Sequence, residues 1–300
     1  MTTISTPPIA AEKLFFIGNF PVTNAYLNSL FAVLIIVIFA YVIKRKVSDV
    51  PKGSQNFAES VLELMFSYAD GVTGSREKTL KLFPMAGSLF IFIVVSNWIG
   101  ILPGIGSIGL FKTAADGIKE FIPMFRSANA DLNLTLAMAL ACVITTHIMG
   151  IVAVGFFRYA NKFIKLGGLW EAVKSFSVEK ILVAIIELGV GFLEVVSEVS
   201  KVLSLSLRLF GNIFAGEVLL TVLASLVAYI VPLPFMGLEL LVGLIQALVF
   251  SMLILVYASI AIMPIPEHGH GDKDEVIQAD NLTELGSALQ DEYPEPASGV

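Results

Sequence analysis

The sequence predicts an all-α integral membrane protein, and three observations carry that prediction. Charged residues make up only 15% of the 300 positions, against about 25% in ordinary soluble domains. Hydrophobic residues reach 56% and the mean hydropathy is +0.83. The chain also holds several apolar runs near or above the roughly 20 residues that a helix needs to cross a bilayer core. The formal net charge of -6 says little about partners, because much of the acid sits in the last thirty residues.

Taken in order, residues 1–23 are mixed in character, contain proline, and suit a membrane surface. A first span is expected over about Asn24–Ile43, stopped by Lys44-Arg45-Lys46. Residues 54–70 read as a short amphipathic surface helix. Phe57, Val61, Leu64, Met65 and Tyr68 share one side, with Gln55, Glu59 and Glu63 off it. A second span covers about Leu82–Leu102 and closes at Pro103-Gly104; a glycine-rich loop then runs to about Ala130. The third span, about Leu132–Phe157, ends at Arg158.

One uninterrupted helical pattern follows from about Ser177 to Ile230, far longer than a perpendicular crossing requires. Either its first part lies outside the membrane or the helix is strongly tilted. Pro232 and Pro234 break it, and a last helix runs from about Phe235 to Met263, stopped by Pro264 and Pro266. The reading is therefore one membrane domain over 1–265, with about five membrane helices. An acidic tail over 266–300 has the composition of a disordered segment.

Basic residues set the expected orientation. Lys44, Arg45, Lys46, Lys52, Arg76, Lys78 and Lys81 follow the first span, and Arg158, Lys162, Lys165, Lys174 and Lys180 follow the third. The intervening loop holds only Lys112, Lys119 and Arg126. The positive-inside rule puts the N-terminus outside and the C-terminus in the cytoplasm, which an odd number of crossings satisfies. The N-terminus has no basic stretch leading at once into an apolar core, so no cleaved signal peptide is expected.

The long helix carries the chemistry. Glu187, Glu194, Glu198, Lys201, Arg208 and Glu217 all fall within it. Each charge costs about 2.5–3.5 kcal/mol at a bilayer centre, so lipid exposure of the set is excluded. At 100° per residue, Glu187, Glu194, Glu198, Lys201, Arg208 and Asn212 share an arc of about 80°. Glu217 points roughly 140–180° away from Lys201, Arg208 and Asn212 and must serve a different cavity or helix.

Three readings fit the polar face: structural ion pairs, an aqueous conduit, or a fixed surface facing a mobile carboxylate. Arg208 favours the last. It does not deprotonate, it sits among leucines in Ser204-Leu205-Ser206-Leu207-Arg208-Leu209, and most acids on its helix are a turn or more away. The last helix adds Glu239, Gly243, Gln246, Phe250 and Tyr257 at helical spacing.

These residues resemble a known family. The run SLSLRLFGNIFAGEVLL, within Leu203–Leu220, is similar to the signature of F-type ATP synthase subunit a, and LIQALVFSMLILVY resembles that family's last helix. SNWIGILPG at Ser96–Gly104 and FFIGNFPVTNAYLN near the start extend the likeness to about residues 12–265. Some members carry an aspartate three residues after the asparagine matched by Asn97; here that position is Gly100.

The resemblance implies a proton-translocating subunit with two half-channels, whose last two long helices are tilted and face a c ring. Arg208 matches the family's essential stator charge. Glu217 and Glu239 match relay positions of one half-channel, Asn212 and Gln246 its polar partners near the ring. Glu187, Glu194, Glu198 and Lys201 would line the opposite path. Implied partners are the c-subunit ring, the b-subunit peripheral stalk, the rest of the complex, membrane lipids and H+ (or Na+), in a cell inner membrane.

The rival class is a self-contained secondary transporter or ion channel, although no convincing internal repeat is present. Co-purification with a ring of small hairpin subunits separates the two. No nucleotide-binding loop, zinc motif or nucleophile constellation is evident. The sequence therefore predicts no catalytic site of its own, no cofactor, no metal and no nucleic-acid partner. Cys142 reads as a small packing residue. His147 reads as a bundle hydrogen-bonder or a relay, and His268 and His270 as solvated tail residues.

Overall fold

The computed structural model describes residues 8–263, apart from 46, 49, 52, 103, 114–118, 164–177, 228 and 229. The expectations for the 266–300 tail, including His268 and His270, lie outside the described residues, as do those for Lys165 and Lys174.

The helices fall close to where the apolar periodicity puts them. They are α1 (Asn24–Arg45), α2 (Ser54–Thr73), α3 (Arg76–Ile101), α4 (Leu132–Val154), α5 (Phe156–Phe163), α6 (Val178–Leu226) and α7 (Pro232–Ala261). α1, α3, α4 and α7 are each long and apolar enough to cross a membrane. α6 carries the ionisable stripe on otherwise apolar sequence. At 49 residues it is about 74 Å long, more than twice the hydrocarbon thickness.

Local chemistry explains the ends. Gly74 takes a left-handed conformation (φ 70°) that closes α2, and Ser75 caps α3 by accepting from the Lys78 N–H at 3.3 Å. The Asp70–Arg76 pair at 2.8 Å spans the same corner. The second span therefore starts one and a half turns earlier than hydropathy alone suggests, and Pro84 lies inside it. Asp131 caps α4 through the Asn133 N–H. Gly155 (φ 96°) ends α4 and lets the short α5 turn back against α4 and α6. Pro232 does not only break the long helix: it occupies the first turn of α7, where its missing N–H is harmless.

Two small antiparallel hairpins supplement the helices: β1 (Lys13–Ile17) with β2 (Phe20–Thr23), and β3 (Gly109–Thr113) with β4 (Lys119–Pro123). The first turns through Gly18-Asn19, with Gly18 at φ 63°, within the 1–23 segment expected at a membrane surface.

α3 and α7 form the centre of the bundle. Phe90, Ile93 and Val94 of α3 join Ala247, Phe250, Ile254, Leu255 and Ala258 of α7 in one buried cluster. α6 contributes Leu205, Leu209 and Ile213, spaced four apart and fully buried. Asn28 of α1 donates to the Ser96 carbonyl at 3.2 Å, joining the first span to α3.

Candidate functional site

Two clusters of ionisable groups lie along α6, with Arg208 between them. Glu217 is nine residues to one side of Arg208 and Glu198 ten to the other, about 14 and 15 Å along the axis.

The first cluster surrounds a recess of about 410 Å³, lined among others by Glu12, Gly100, Arg126, Ser127, Glu217 and Glu239. At roughly 30 Å³ per molecule, this is room for on the order of ten waters. Glu217 and Glu239, assigned to one path from the sequence, do border the same recess. The sequence reading did not foresee the cation beside Glu217. Arg126 Nε donates to both carboxylate oxygens of Glu217, at 2.8 and 2.9 Å, and its Nη1 donates to the Pro8 carbonyl at 2.7 Å. Arg126 had been counted only as a loop charge, but it is 4% exposed. An isolated Arg just before a helix-capping Asp was the available signal; its partner, 91 residues away, was not readable.

Glu239 is buried against α6 at Gly216, where an added Cβ would overlap its carboxylate. Glu239 Oε1 has no hydrogen-bond partner among the described residues. The loop that delivers Arg126 is itself pinned. Asn97 Oδ1 accepts from Asn129 Nδ2 at 2.7 Å. Gly100 lies so close to Ser127 that a Cβ there would come within 2.7 Å of the Ser127 Cα. Gly100 therefore serves close backbone approach.

The second cluster joins Glu198 and Lys201 of α6 with residues of three other helices. Lys201 Nζ donates to Glu198 Oε1 at 2.7 Å, and its ammonium lies 5.1 Å from the centre of the Tyr257 ring on α7. The other carboxylate oxygen of Glu198 is 3.5 Å from His147 Nε2 on α4. His147 Nδ1 is 2.7 Å from the Tyr159 hydroxyl on α5. Glu187 and Glu194 continue the line on α6, both half-buried.

Arg208 belongs to neither cluster. It is exposed, its Nη2 donates to Ser204 Oγ at 3.3 Å, and no acid pairs with it among the described residues. Leu203 and Leu207 beside it are about half exposed. One turn on, Asn212 Nδ2 donates to Gln246 Oε1 at 2.9 Å, tying α6 to α7 at this level.

The Arg126–Glu217 pair is expected to behave as a unit. Arg126→Ala should destabilise the solubilised protein by about 3 kcal/mol, the low end for a buried pair because Glu217 keeps some solvent contact. Arg126→Ala combined with Glu217→Ala should recover part of that loss. Thermal aggregation midpoints of the four proteins measure this, and strictly additive losses would count against the coupling.

The chain is similar to known proteins over most of its length. The family model described as ATP synthase A chain matches residues 26–259. A protein of Campylobacter jejuni subsp. doylei named ATP synthase subunit a is 35% identical over 237 residues, covering 79% of this chain and 88% of its own. Proteins of the same name from Mycobacterium leprae and Mycobacterium bovis are each 34% identical over 254 and 251 residues. Each match covers 82% of this chain, and 88% and 89% of theirs. With the family matched from the first span to the end of α7, the chain belongs to the ATP synthase A chain family.

Proposed function

We propose that this chain is the membrane stator of an F-type ATP synthase, which loads and unloads a carboxylate on a c ring through two half-channels. Membership of the family places it in the membrane sector of the ATP synthase complex, as a multi-pass protein engaged in proton transport. The finer reading rests chiefly on Arg208: an exposed cation without an acid partner among the described residues, midway between two ionisable clusters, on a face of exposed aliphatic side chains.

A carboxylate brought opposite Arg208 is held ionised, because a nearby cation favours the charged form. Turning away into lipid, it must first take a proton or a metal ion, since an isolated carboxylate there is too costly. Glu217 and Glu239 serve as relays on one side; Glu187, Glu194, Glu198 and Lys201 line the other, and Asn212 and Gln246 order the surface near the ring. Arg208 also repels a cation that would pass directly between the paths. Each charge crossing gains about 2.3 kcal/mol per 100 mV, so several transfers are needed for each ATP. The ring's own site sets whether H+ or Na+ is carried. The b-subunit stalk would hold this chain against rotation.

Three experiments test the reading. Arg208→Ala should abolish ATP-driven pumping in membrane vesicles while the complex still assembles; near-normal pumping would refute the assignment. Arg208→Lys should also largely fail, because an ammonium lacks the planar donor fork.

The proposed orientation places the α1–α2 connection in the cytoplasm. Ser48 is exposed there, and the native Cys142 is buried. A Ser48→Cys protein should therefore react with an impermeant thiol reagent only from the cytoplasmic side. Labelling in intact cells would reverse the topology.

Glu217→Gln and Glu239→Gln should each slow passive proton flux by at least about tenfold, since a positioned acid–base group contributes 10²–10⁴-fold. The double variant should lose much less than the product of the two. Independent, fully multiplicative losses would show that the two acids do not share a path.

A further inference from the structure

The residues assigned to the second path from the sequence all lie on α6, yet the structure brings α4 and α5 to the same place. We propose that His147 is a proton-exchanging group of that path, oriented by Tyr159 and passing protons to and from Glu198. This rests on the two-path reading above and adds a residue to it.

Four features carry the inference. Both ring nitrogens of His147 face polar groups: Nδ1 the Tyr159 hydroxyl at 2.7 Å, and Nε2 the Glu198 carboxylate at 3.5 Å. These partners stand on α5 and α6, so the ring is held from two sides. The edges of the Tyr159 and Phe163 rings pack against it, with centroids 6.0 and 5.9 Å away. A recess of about 290 Å³ opens beside it, lined by His147, Ile151, Phe156, Tyr159, Ala160 and Phe163. His147 lies within α4, a helix long and apolar enough to cross a membrane, where an ionisable group marks an ion pathway by default.

The tyrosine matters because a hydroxyl both donates and accepts. When Tyr159 accepts from Nδ1–H, the Nε2 lone pair faces Glu198 and can take a proton from its carboxyl group. When Tyr159 donates to Nδ1, Nε2–H can donate to the Glu198 carboxylate. Both tautomers therefore have a partner without any movement of the ring. Burial, together with the carboxylates of Glu198 and Glu194, pushes the Tyr159 phenol above its ordinary range. It therefore stays protonated and able to serve in either sense.

The transfer balances without a co-reactant. A protonated Glu198 gives its proton to Nε2, leaving carboxylate and imidazolium. The imidazolium passes its Nδ1 proton to the Tyr159 oxygen as the Tyr159 hydroxyl gives its own proton to solvent at the recess, which leaves Tyr159 neutral and donating to Nδ1. The reverse sequence loads Glu198. Lys201, 2.7 Å from the other Glu198 oxygen, compensates the carboxylate left after each release.

The test uses the whole complex in vesicles and compares ATP-driven pumping rates. His147→Ala should pump at least threefold more slowly, and imidazole in the medium should restore at least half the loss by entering the enlarged recess. His147→Gln, which keeps a hydrogen bond to Tyr159 but fills the space, should be as slow and should not respond to imidazole. Tyr159→Phe, which keeps every ring contact, should pump at least twofold more slowly, and it decides the matter if His147→Ala does not assemble. Wild-type pumping by His147→Ala or by Tyr159→Phe, full activity in His147→Gln, or a loss in His147→Ala that imidazole does not relieve would overturn the proposal. Arg208→Ala in the same vesicles separates this outcome from failure of the two-path reading: if that variant pumps, the larger reading falls whatever His147 does.

Discussion

The cost of an unpaired charge in hydrocarbon is the constraint on which the rest of this structure depends. A helix that carries Glu187, Glu194, Glu198, Lys201, Arg208 and Glu217 cannot face lipid on its polar side, and neighbouring elements receive several of those groups. Glu198 and Lys201 neutralise each other and meet α4, α5 and α7. Glu217 draws Arg126 in from the loop before α4. That loop can deliver a guanidinium to a fixed place only because Asn97, Gly100, Asn129 and the Asp131 cap hold its backbone. Arg208 belongs to neither cluster and is turned outward, toward whatever the exposed face of α6 meets.

The same helix separates what it connects. Between the two clusters its inward face is Leu205, Leu209 and Ile213, all fully buried in the main core. Ser206, buried beside them, keeps its hydroxyl on the Leu203 carbonyl of the same helix at 3.1 Å. Each such apolar contact is ordinary packing, and on the proposed two-path reading the three in line would separate the paths. On the proposed two-path reading, the ring's carboxylate would pass along the outer face, at the level of Arg208 and the Asn212–Gln246 bond.

How much of this was legible in the sequence depended on range. The spans, the amphipathic α2 and the polar stripe follow from periods of 3.6 residues, and these emerged within a few residues of their true limits. So did the separation of Glu217 from the Arg208 face, which is simple angular arithmetic. What escaped was pairing across distance: Arg126 with Glu217, 91 residues apart, and His147 with Tyr159 around the Gly155 turn. No local pattern specifies such partners. The β1–β2 hairpin was different, because Gly18-Asn19 is a recognisable turn pair between short apolar runs. It was obscured by reading the segment only for hydropathy. Pro232 was legible as a boundary but not as a beginning, since proline both ends helices and opens them.

Gly216 has a consequence that reaches beyond the recess. It contributes nothing to the chemistry, yet the carboxylate of Glu239 occupies the room that any side chain at 216 would claim. The two positions thus hold one joint allotment of volume between neighbouring helices. A bulkier residue on α7 demands that α6 stay bare there, and a side chain on α6 demands a shorter one on α7. Neither site is free to drift by itself, so descendants of this sequence should change them as a pair or leave both alone.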